Sequence, residues 1–426
     1  MGCFLLRYLA QKDKMPSMKH HIITFGCQMN RSDSERIAAV LEKSGHKPVS
    51  DIKKADLVVV NMCSVRQSAV DRVYGLTRKL KNKKTILTGC VLNKDKKKLS
   101  KEFDYILDIK ELGKWPVLSE KEKSNNYLEI KPKDSNNFSA NVPIMTGCNN
   151  FCAYCVVPCT RGREFSRPTE KIIEEAKSLI GKGYKEVWLL GQNVNAYQQE
   201  KTNFPKLLKK INNIPGDFWI RFTSPHPKDF SDELIEIMAQ GKKITEYLNL
   251  PAQSGDNDIL KEMNRPYSIE DYKNLVKKIR RAIPNIAIST DIIVGFPRET
   301  KEQFQNTLNL FKEIKYDMAY ISRYSPRPQT AALKMEDDVS LEEKRERERT
   351  LTCLLEKTAL EKNKEYVGKI EKVLISKCSK GFCAGKNRSY KTVKIRSAKR
   401  NLTGKFAKVE ITEALPWGLK AKIWKN

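Results

Sequence analysis

From position 20 to 118, short apolar runs alternate with longer stretches whose apolar residues recur at helical spacing. The runs at 21–25, 57–61, 85–88 and 105–107 predict strands, with helices such as 32–44 and 64–80 between them. Alternation of strand and helix implies crossover connections, and so an α/β domain with a doubly wound parallel sheet over 19–118. Residues 119–140, rich in Lys, Asn, Ser and Asp, read as a linker.

The strand–helix unit then repeats about six times. Strands are predicted at 142–146, 187–190, 219–223, 247–250, 286–294 and 318–324, with helices such as 169–182 and 268–282. Right-handed crossovers over 141–339 make a partial (βα)6 barrel rather than the closed eight-stranded form, and its lateral opening suits a macromolecular substrate. A charged helix at 340–366 leads to a different pattern at 367–426. There, short strands at 372–376, 390–396, 407–411 and 419–424 are separated by turns carrying Gly381, Gly385, Gly404 and Gly418. This reads as a small antiparallel β-barrel of a kind that often binds RNA.

Charge sharpens that reading. The 426 residues carry 80 Lys or Arg against 51 Asp or Glu, while 40% are hydrophobic, which excludes wholesale disorder. Positions 362–426 hold 18 Lys or Arg against 4 Glu and no Asp, a balance of +14. Such a surface calls for a polyanion, because neutralised phosphates release condensed counterions. No apolar run approaches the ~20 residues of a membrane-spanning helix. The apolar run at 3–9 is broken by Arg7 and lacks a cleavage site, so no secretory signal is predicted and the protein is expected in the cytoplasm. Translation starts at Met1, Met15 or Met18. Eleven cysteines in a reducing compartment point to metal binding or chemistry rather than to disulfides.

Six of the eleven cysteines fall into two trios. Cys148, Cys152 and Cys155 follow the first strand of the second segment, in Gly-Cys-Asn-Asn-Phe-Cys-Ala-Tyr-Cys. Three thiolates at this spacing hold three irons of a 4Fe–4S cluster and leave the fourth open, whereas a zinc site wants a fourth ligand and ferredoxin spacing differs. Cys27, Cys63 and Cys90 each follow a predicted strand of the first segment. The carboxyl ends of parallel strands share one edge, so these three converge into a second cluster site, with Gly26 and Gly89 permitting close backbone approach. Just beyond Cys155, Arg161, Arg163 and Arg167 form a basic run suited to phosphate contacts.

Around Cys148, Cys152 and Cys155 the sequence resembles the radical S-adenosylmethionine superfamily. The resemblance implies that Tyr154 lies beside the adenine, that the open iron chelates S-adenosylmethionine, and that an electron from the cluster cleaves it to a 5′-deoxyadenosyl radical. Two trios followed by a basic β module resemble the radical methylthiotransferases from about His20 to the C-terminus. The supporting runs include 24–30, 156–168, 190–197, 221–226, 251–255 and 291–300. The stretch Gly191-Gln-Asn-Val-Asn195 is most similar to the branch that modifies isopentenyladenosine in tRNA. Sister branches act on threonylcarbamoyladenosine in tRNA or on a ribosomal-protein aspartate.

That resemblance implies methylthiolation of C2 of N6-isopentenyladenosine at position 37, immediately 3′ of the anticodon. It implies two 4Fe–4S clusters and two S-adenosylmethionines per turnover, one methylating a sulfur on the auxiliary cluster and one supplying the radical. Gly191, Gln192 and Asn193 would bind the amino end of S-adenosylmethionine, while Ser224, Gln253, Asp291 and Gly295 would line the barrel mouth. The terminal segment resembles the TRAM RNA-binding domain. A flavodoxin or ferredoxin-like electron donor is implied, and the sulfur donor is not identified. The chain departs from the family at Cys159, usually Tyr, and at Arg298 and Gln329, each usually Gly. Cys378 and Cys383 have no evident ligand partners and read as structural. An RNA-binding protein with structural metal sites is the alternative that accounts for the basic module, but not for two sets of three thiolates.

Overall fold

The computed structural model describes residues 17–65, 67–118, 126–133, 138–379, 381–396 and 402–424. The apolar run at 3–9 and Met15 lie outside them. The chain divides into two compact units, Met1–Ser135 and Asn136–Asn426.

In the first unit the all-parallel sheet runs in the order Lys47–Pro48, Lys19–Thr24, Leu57–Cys63, Lys84–Cys90, Tyr105–Ile106. This is the doubly wound order 2-1-3-4-5, whose switch point lies between the first and third strands. Every residue of the central strand Leu57–Cys63 is buried, as a strand covered on both faces requires. Its alternate side chains feed two separate cores. Leu57 and Val59 pack with Ile37, Leu41 and Trp115, and Val58, Val60 and Met62 pack with Val70, Val73 and Leu87. Part of the stretch read as linker belongs here: Tyr127, Leu128 and Ile130 are buried in the first of these cores, and only 119–125 and 134–137 fall outside the described residues.

The second unit opens with two three-stranded parallel sheets. Ser139–Pro143, Glu186–Leu190 and Trp219–Phe222 form one, and Tyr247–Asn249, Ala287–Val294 and Met318–Arg323 the other. A parallel bridge from Ile220 to Ile244 joins them into a six-stranded partial barrel. The helix Leu341–Lys364, capped by Ser340 accepting from the Glu343 amide, leads to a closed five-stranded barrel. That barrel contains a strand missing from the sequence reading, Phe382–Asn387, and one parallel pair, Thr392–Arg396 with Gly418–Ile423. Cys378 and Cys383 face each other across its first hairpin and are joined as a disulfide, contrary to the expectation drawn from the reducing compartment.

The terminal barrel is fastened to the partial barrel by a buried cation. Arg221, fully buried, donates from Nε to Glu186 Oε1 (2.6 Å), and from its other nitrogens to the Asn387 and Arg388 carbonyls (2.8 Å each) and to Thr245 Oγ1. Its guanidinium lies over the rings of Trp188, Trp219 and Tyr390. Arg388 in turn makes a forked pair with Glu246, and Lys391 pairs with Asp317. The module is therefore no detachable appendage, since removing it uncovers Trp188 and Trp219, which pack on Tyr390 and Phe406. Arg221→Met strands the Glu186 carboxylate, and is expected to cost about 3–5 kcal/mol in chemical denaturation. Adding Glu186→Gln should recover part of that loss; equal stability of Arg221→Met and the parent would contradict this packing.

Candidate functional site

The first trio along the chain, Cys27, Cys63 and Cys90, stands at the carboxyl ends of strands around the sheet's switch point. Cys63 and Cys90 are opposite residues at the ends of adjacent strands. Cys27 sits at the N-terminus of the helix Gln28–Lys43, just after the edge of Lys19–Thr24. Burial and a hydrogen bond with Cys90 push the Cys63 thiol upward, the hydrogen bond contributing most, and both Cys90 and Cys27 add electrostatically. Cys63 thus has both other thiols in its surroundings.

A small amide network fixes them. Asn30 Nδ2 donates to Asn61 Oδ1 (2.9 Å) and the Met62 carbonyl, Asn61 Nδ2 donates to the Asn30 carbonyl (2.8 Å), and the Cys27 amide and thiol both donate to Asn30 Oδ1. Gly89, at φ +99°, lies against the Asn61 side chain and the Met62 backbone, where any Cβ would collide. Gly26 is confined in the same way by Asn30. Sequence reasoning placed the glycines but missed Asn30 and Asn61; the only signal was Asn30's position at the end of the run 24–30.

The second trio lies on the loop between Met145–Thr146 and the short helix Val157–Arg161. Gly147 opens the loop at φ +82°, where a Cβ would strike the Arg163 carbonyl, and its amide donates to Gln192 Oε1 (2.6 Å). Ala153, between the second and third cysteines, is held on both sides: its amide donates to the Met263 carbonyl (2.9 Å) and its carbonyl accepts from Ala332 (2.8 Å). Asn264 Nδ2 donates to the Asn150 and Phe151 carbonyls. Arg265 Nη1 donates to Cys152 Sγ (3.6 Å) and the Val157 amide to Cys155 Sγ (3.5 Å). Burial pushes the Cys155 thiol up to about 12 and raises Cys148, with the neighbouring thiols reinforcing both. Such thiols are protonated without metal, so loading them releases protons.

Each trio offers three soft sulfur donors, the donor type that suits iron–sulfur clusters. Among the described residues no three His, Cys, Asp or Glu side chains close on a single ion. A cubane, whose thiolates bind different irons, asks for a wider spread than a mononuclear site.

The remaining predicted residues gather at the carboxyl rim of the partial barrel. Gly191, Gln192 and Asn193 follow Glu186–Leu190, Ser224 follows Trp219–Phe222, and Gly295 follows Ala287–Val294. Gln253 bridges to Ile292, while Asp291 lies within its strand rather than after it, accepting from Asn249 Nδ2 (2.8 Å). Asn193 Nδ2 donates to Asp229, leaving its buried Oδ1 without a hydrogen-bond partner among the described residues. Tyr154 is half-buried against the core of Ala153, Met263 and Phe296.

Two of the three arginines assigned to phosphate contacts are buried instead. Arg167 donates to the Pro143 carbonyl and pairs with Glu175 (2.7 Å), and Arg161 is 2% exposed. Only Arg163 is exposed, stacked over Phe151 at 4.3 Å. A basic run cannot reveal this, because alternate positions along it point inward. Arg298 and Gln329 keep the left-handed conformation, φ +66° and +68°, at the two places where glycine was expected. Each costs about 1–2 kcal/mol of backbone strain, and at Arg298 the amide's bond to Asp338 (2.7 Å) offsets part of it. Cys159 is exposed and donates to the Gln329 carbonyl.

No helix among the described residues is long and apolar enough to cross a membrane. Three family models match the chain: an uncharacterized protein family, UPF0004, at 19–109, the radical SAM superfamily at 142–311, and the TRAM domain at 364–424. The chain is 42% identical to a tRNA-2-methylthio-N(6)-dimethylallyladenosine synthase of Thermoanaerobacter sp., over 98% of this chain and 95% of that protein. Proteins of the same name from Carboxydothermus hydrogenoformans (94% and 98% covered) and Clostridium botulinum (93% and 95%) are also 42% identical. Among solved structures, the radical S-adenosylmethionine methyltransferase TsrM of Kitasatospora setae superposes with a TM-score of 0.51 over 74% of each chain at 13% identity, a likeness of fold.

Proposed function

The chain belongs to the family of tRNA-2-methylthio-N(6)-dimethylallyladenosine synthases, radical S-adenosylmethionine enzymes with a TRAM domain, and from that premise we propose that it methylthiolates C2 of N6-isopentenyladenosine at position 37 of tRNA. The observation that carries the reading is the pair of cysteine trios, one at the strand ends of the first unit's parallel sheet and one on the loop after Met145–Thr146, in a chain that matches these synthases almost end to end.

Cys148, Cys152 and Cys155 hold the 4Fe–4S cluster of the radical chemistry, and Cys27, Cys63 and Cys90 hold an auxiliary one. When bound, cluster and S-adenosylmethionine together supply the 5′-deoxyadenosyl radical. The protein's own residues orient and enclose. Gln192 fixes the start of the cluster loop through the Gly147 amide. Met263 and Ala332 clamp its middle through Ala153. Asn193, with an unmet acceptor at the rim, receives the amino group of S-adenosylmethionine, and Tyr154 flanks the adenine. Ser224, Gln253, Asp291 and Gly295 shape the mouth. Arg163 and the basic terminal barrel supply phosphate contacts. The reductant is a flavodoxin or ferredoxin-like protein, two S-adenosylmethionines are consumed per turnover, and the work is cytoplasmic, where the tRNA is.

Anaerobically reconstituted protein is expected to bind about eight irons, four for each of two cubanes. Iron and acid-labile sulfide analysis checks this; stoichiometric zinc with iron near zero would overturn the assignment.

A further inference from the structure

The segment Met263–Tyr267 grips the cysteine loop through three successive residues. The Met263 carbonyl takes the Ala153 amide, the Asn264 side chain holds two loop carbonyls, and Arg265 reaches Cys152 itself. Arg265 is only 6% exposed, and each edge of its planar fork is committed. Nε donates to the Tyr267 hydroxyl oxygen (2.9 Å), Nη2 to the Pro251 carbonyl (3.0 Å) and Nη1 to Cys152 Sγ (3.6 Å). The Tyr267 hydroxyl is itself locked, donating to the Ala252 carbonyl (2.9 Å). Among the described residues no carboxylate pairs with this buried cation.

A buried guanidinium without a counter-ion is costly, so the arrangement asks for an anion. The Tyr267 hydroxyl that accepts from Arg265 Nε is a phenol, neutral at ordinary pH, and supplies no charge. The group in direct contact with Arg265 that becomes anionic is Cys152, once it ligates iron. Cys155 receives a neutral backbone donor instead.

We propose that Arg265 is the built-in counter-ion of the 4Fe–4S cluster and, through its N–H···S bond to Cys152, sets that cluster's reduction potential. The inference rests on the reading that Cys148, Cys152 and Cys155 hold such a cluster. Reduction adds one electron, delivered by an external low-potential donor, with no bond made and no proton moved. The reduced cluster carries one more negative charge than the oxidised one, and a fixed cation beside its ligand stabilises it more. Net charge and hydrogen bonds to sulfur are established determinants of such potentials. Arg265 is thus a positioning residue that acts through Cys152.

The test uses the full chain with Cys27, Cys63 and Cys90 replaced by Ala, so that one cluster is titrated by dithionite and followed by electron paramagnetic resonance. Arg265→Met is expected to lower the reduced-to-oxidised ratio at fixed potential by about tenfold, equivalent to 59 mV for one electron. Arg265→Lys, which keeps the charge but loses the fork, should fall between, and affinity for S-adenosylmethionine should stay within about twofold. Full iron with an unchanged midpoint overturns the proposal. So does an unchanged midpoint with weakened S-adenosylmethionine binding, which would make Arg265 a ligand of that molecule's carboxylate. If the Met variant takes up no iron, Arg265→Lys and Tyr267→Phe carry the test, and unchanged midpoints in both overturn it. A parent protein that binds no iron would instead refute the cluster reading.

Discussion

Replacing Cys148, Cys152 and Cys155 together by Ala will leave about four of about eight irons and reduce 5′-deoxyadenosine formation to background. The three residues share one short loop, and that loop's backbone is anchored at Gly147 by Gln192 and at Ala153 by Met263 and Ala332. The scaffold therefore survives loss of the thiols, and the first unit, with its own two cores, keeps its trio. Folding measured by circular dichroism should be near that of the parent. Retained formation of 5′-deoxyadenosine in this variant would place the radical chemistry elsewhere in the chain.

Cys63→Ala separates the two chemistries. Cys63 ends the central strand, opposite Cys90, and both belong to the thiol group completed by Cys27. Loss of one thiolate from a set of three breaks the auxiliary site as a unit, so iron should fall to about four. S-adenosylmethionine should still be cleaved, since the second trio is intact, but the methylthio product should drop below detection, a loss of at least about a thousandfold, equivalent to about 4 kcal/mol of activation free energy. Liquid chromatography of the whole reaction, for free 5′-deoxyadenosine before and for the methylthio nucleoside after digestion of the tRNA, reads both quantities. Product at the normal rate would mean that Cys27, Cys63 and Cys90 do not act together.

The fold was legible in the sequence wherever apolar runs were long and β-branched. The strand at Leu57–Cys63 and the helix at Leu341–Lys364, with Ser340 before it, stand within two residues of their predicted bounds. Phe382–Asn387 was missed because Phe-Cys-Ala-Gly-Lys-Asn lacks the β-branched alternation that marks a strand, and its place is fixed by pairing on both sides. Tyr127 and Leu128 looked like linker because their neighbours are polar, yet two apolar side chains suffice to fill a gap in a core. In the site, the cysteines were legible from spacing and strand ends. Arg265 was not, because 113 positions separate it from Cys152 and nothing local marks a cation that the fold turns inward. The burial of Arg161 and Arg167 was hidden for the same reason: a charge run has no sidedness until the backbone supplies it.

The most direct test is mass spectrometry of tRNA nucleosides from cells lacking this chain, with and without the chain restored. N6-isopentenyladenosine is expected to accumulate in its absence, and 2-methylthio-N6-isopentenyladenosine to return with the intact chain but not with Cys63→Ala. Undiminished 2-methylthio-N6-isopentenyladenosine in the deletion strain, or a lost methylthio group on threonylcarbamoyladenosine instead, would contradict it.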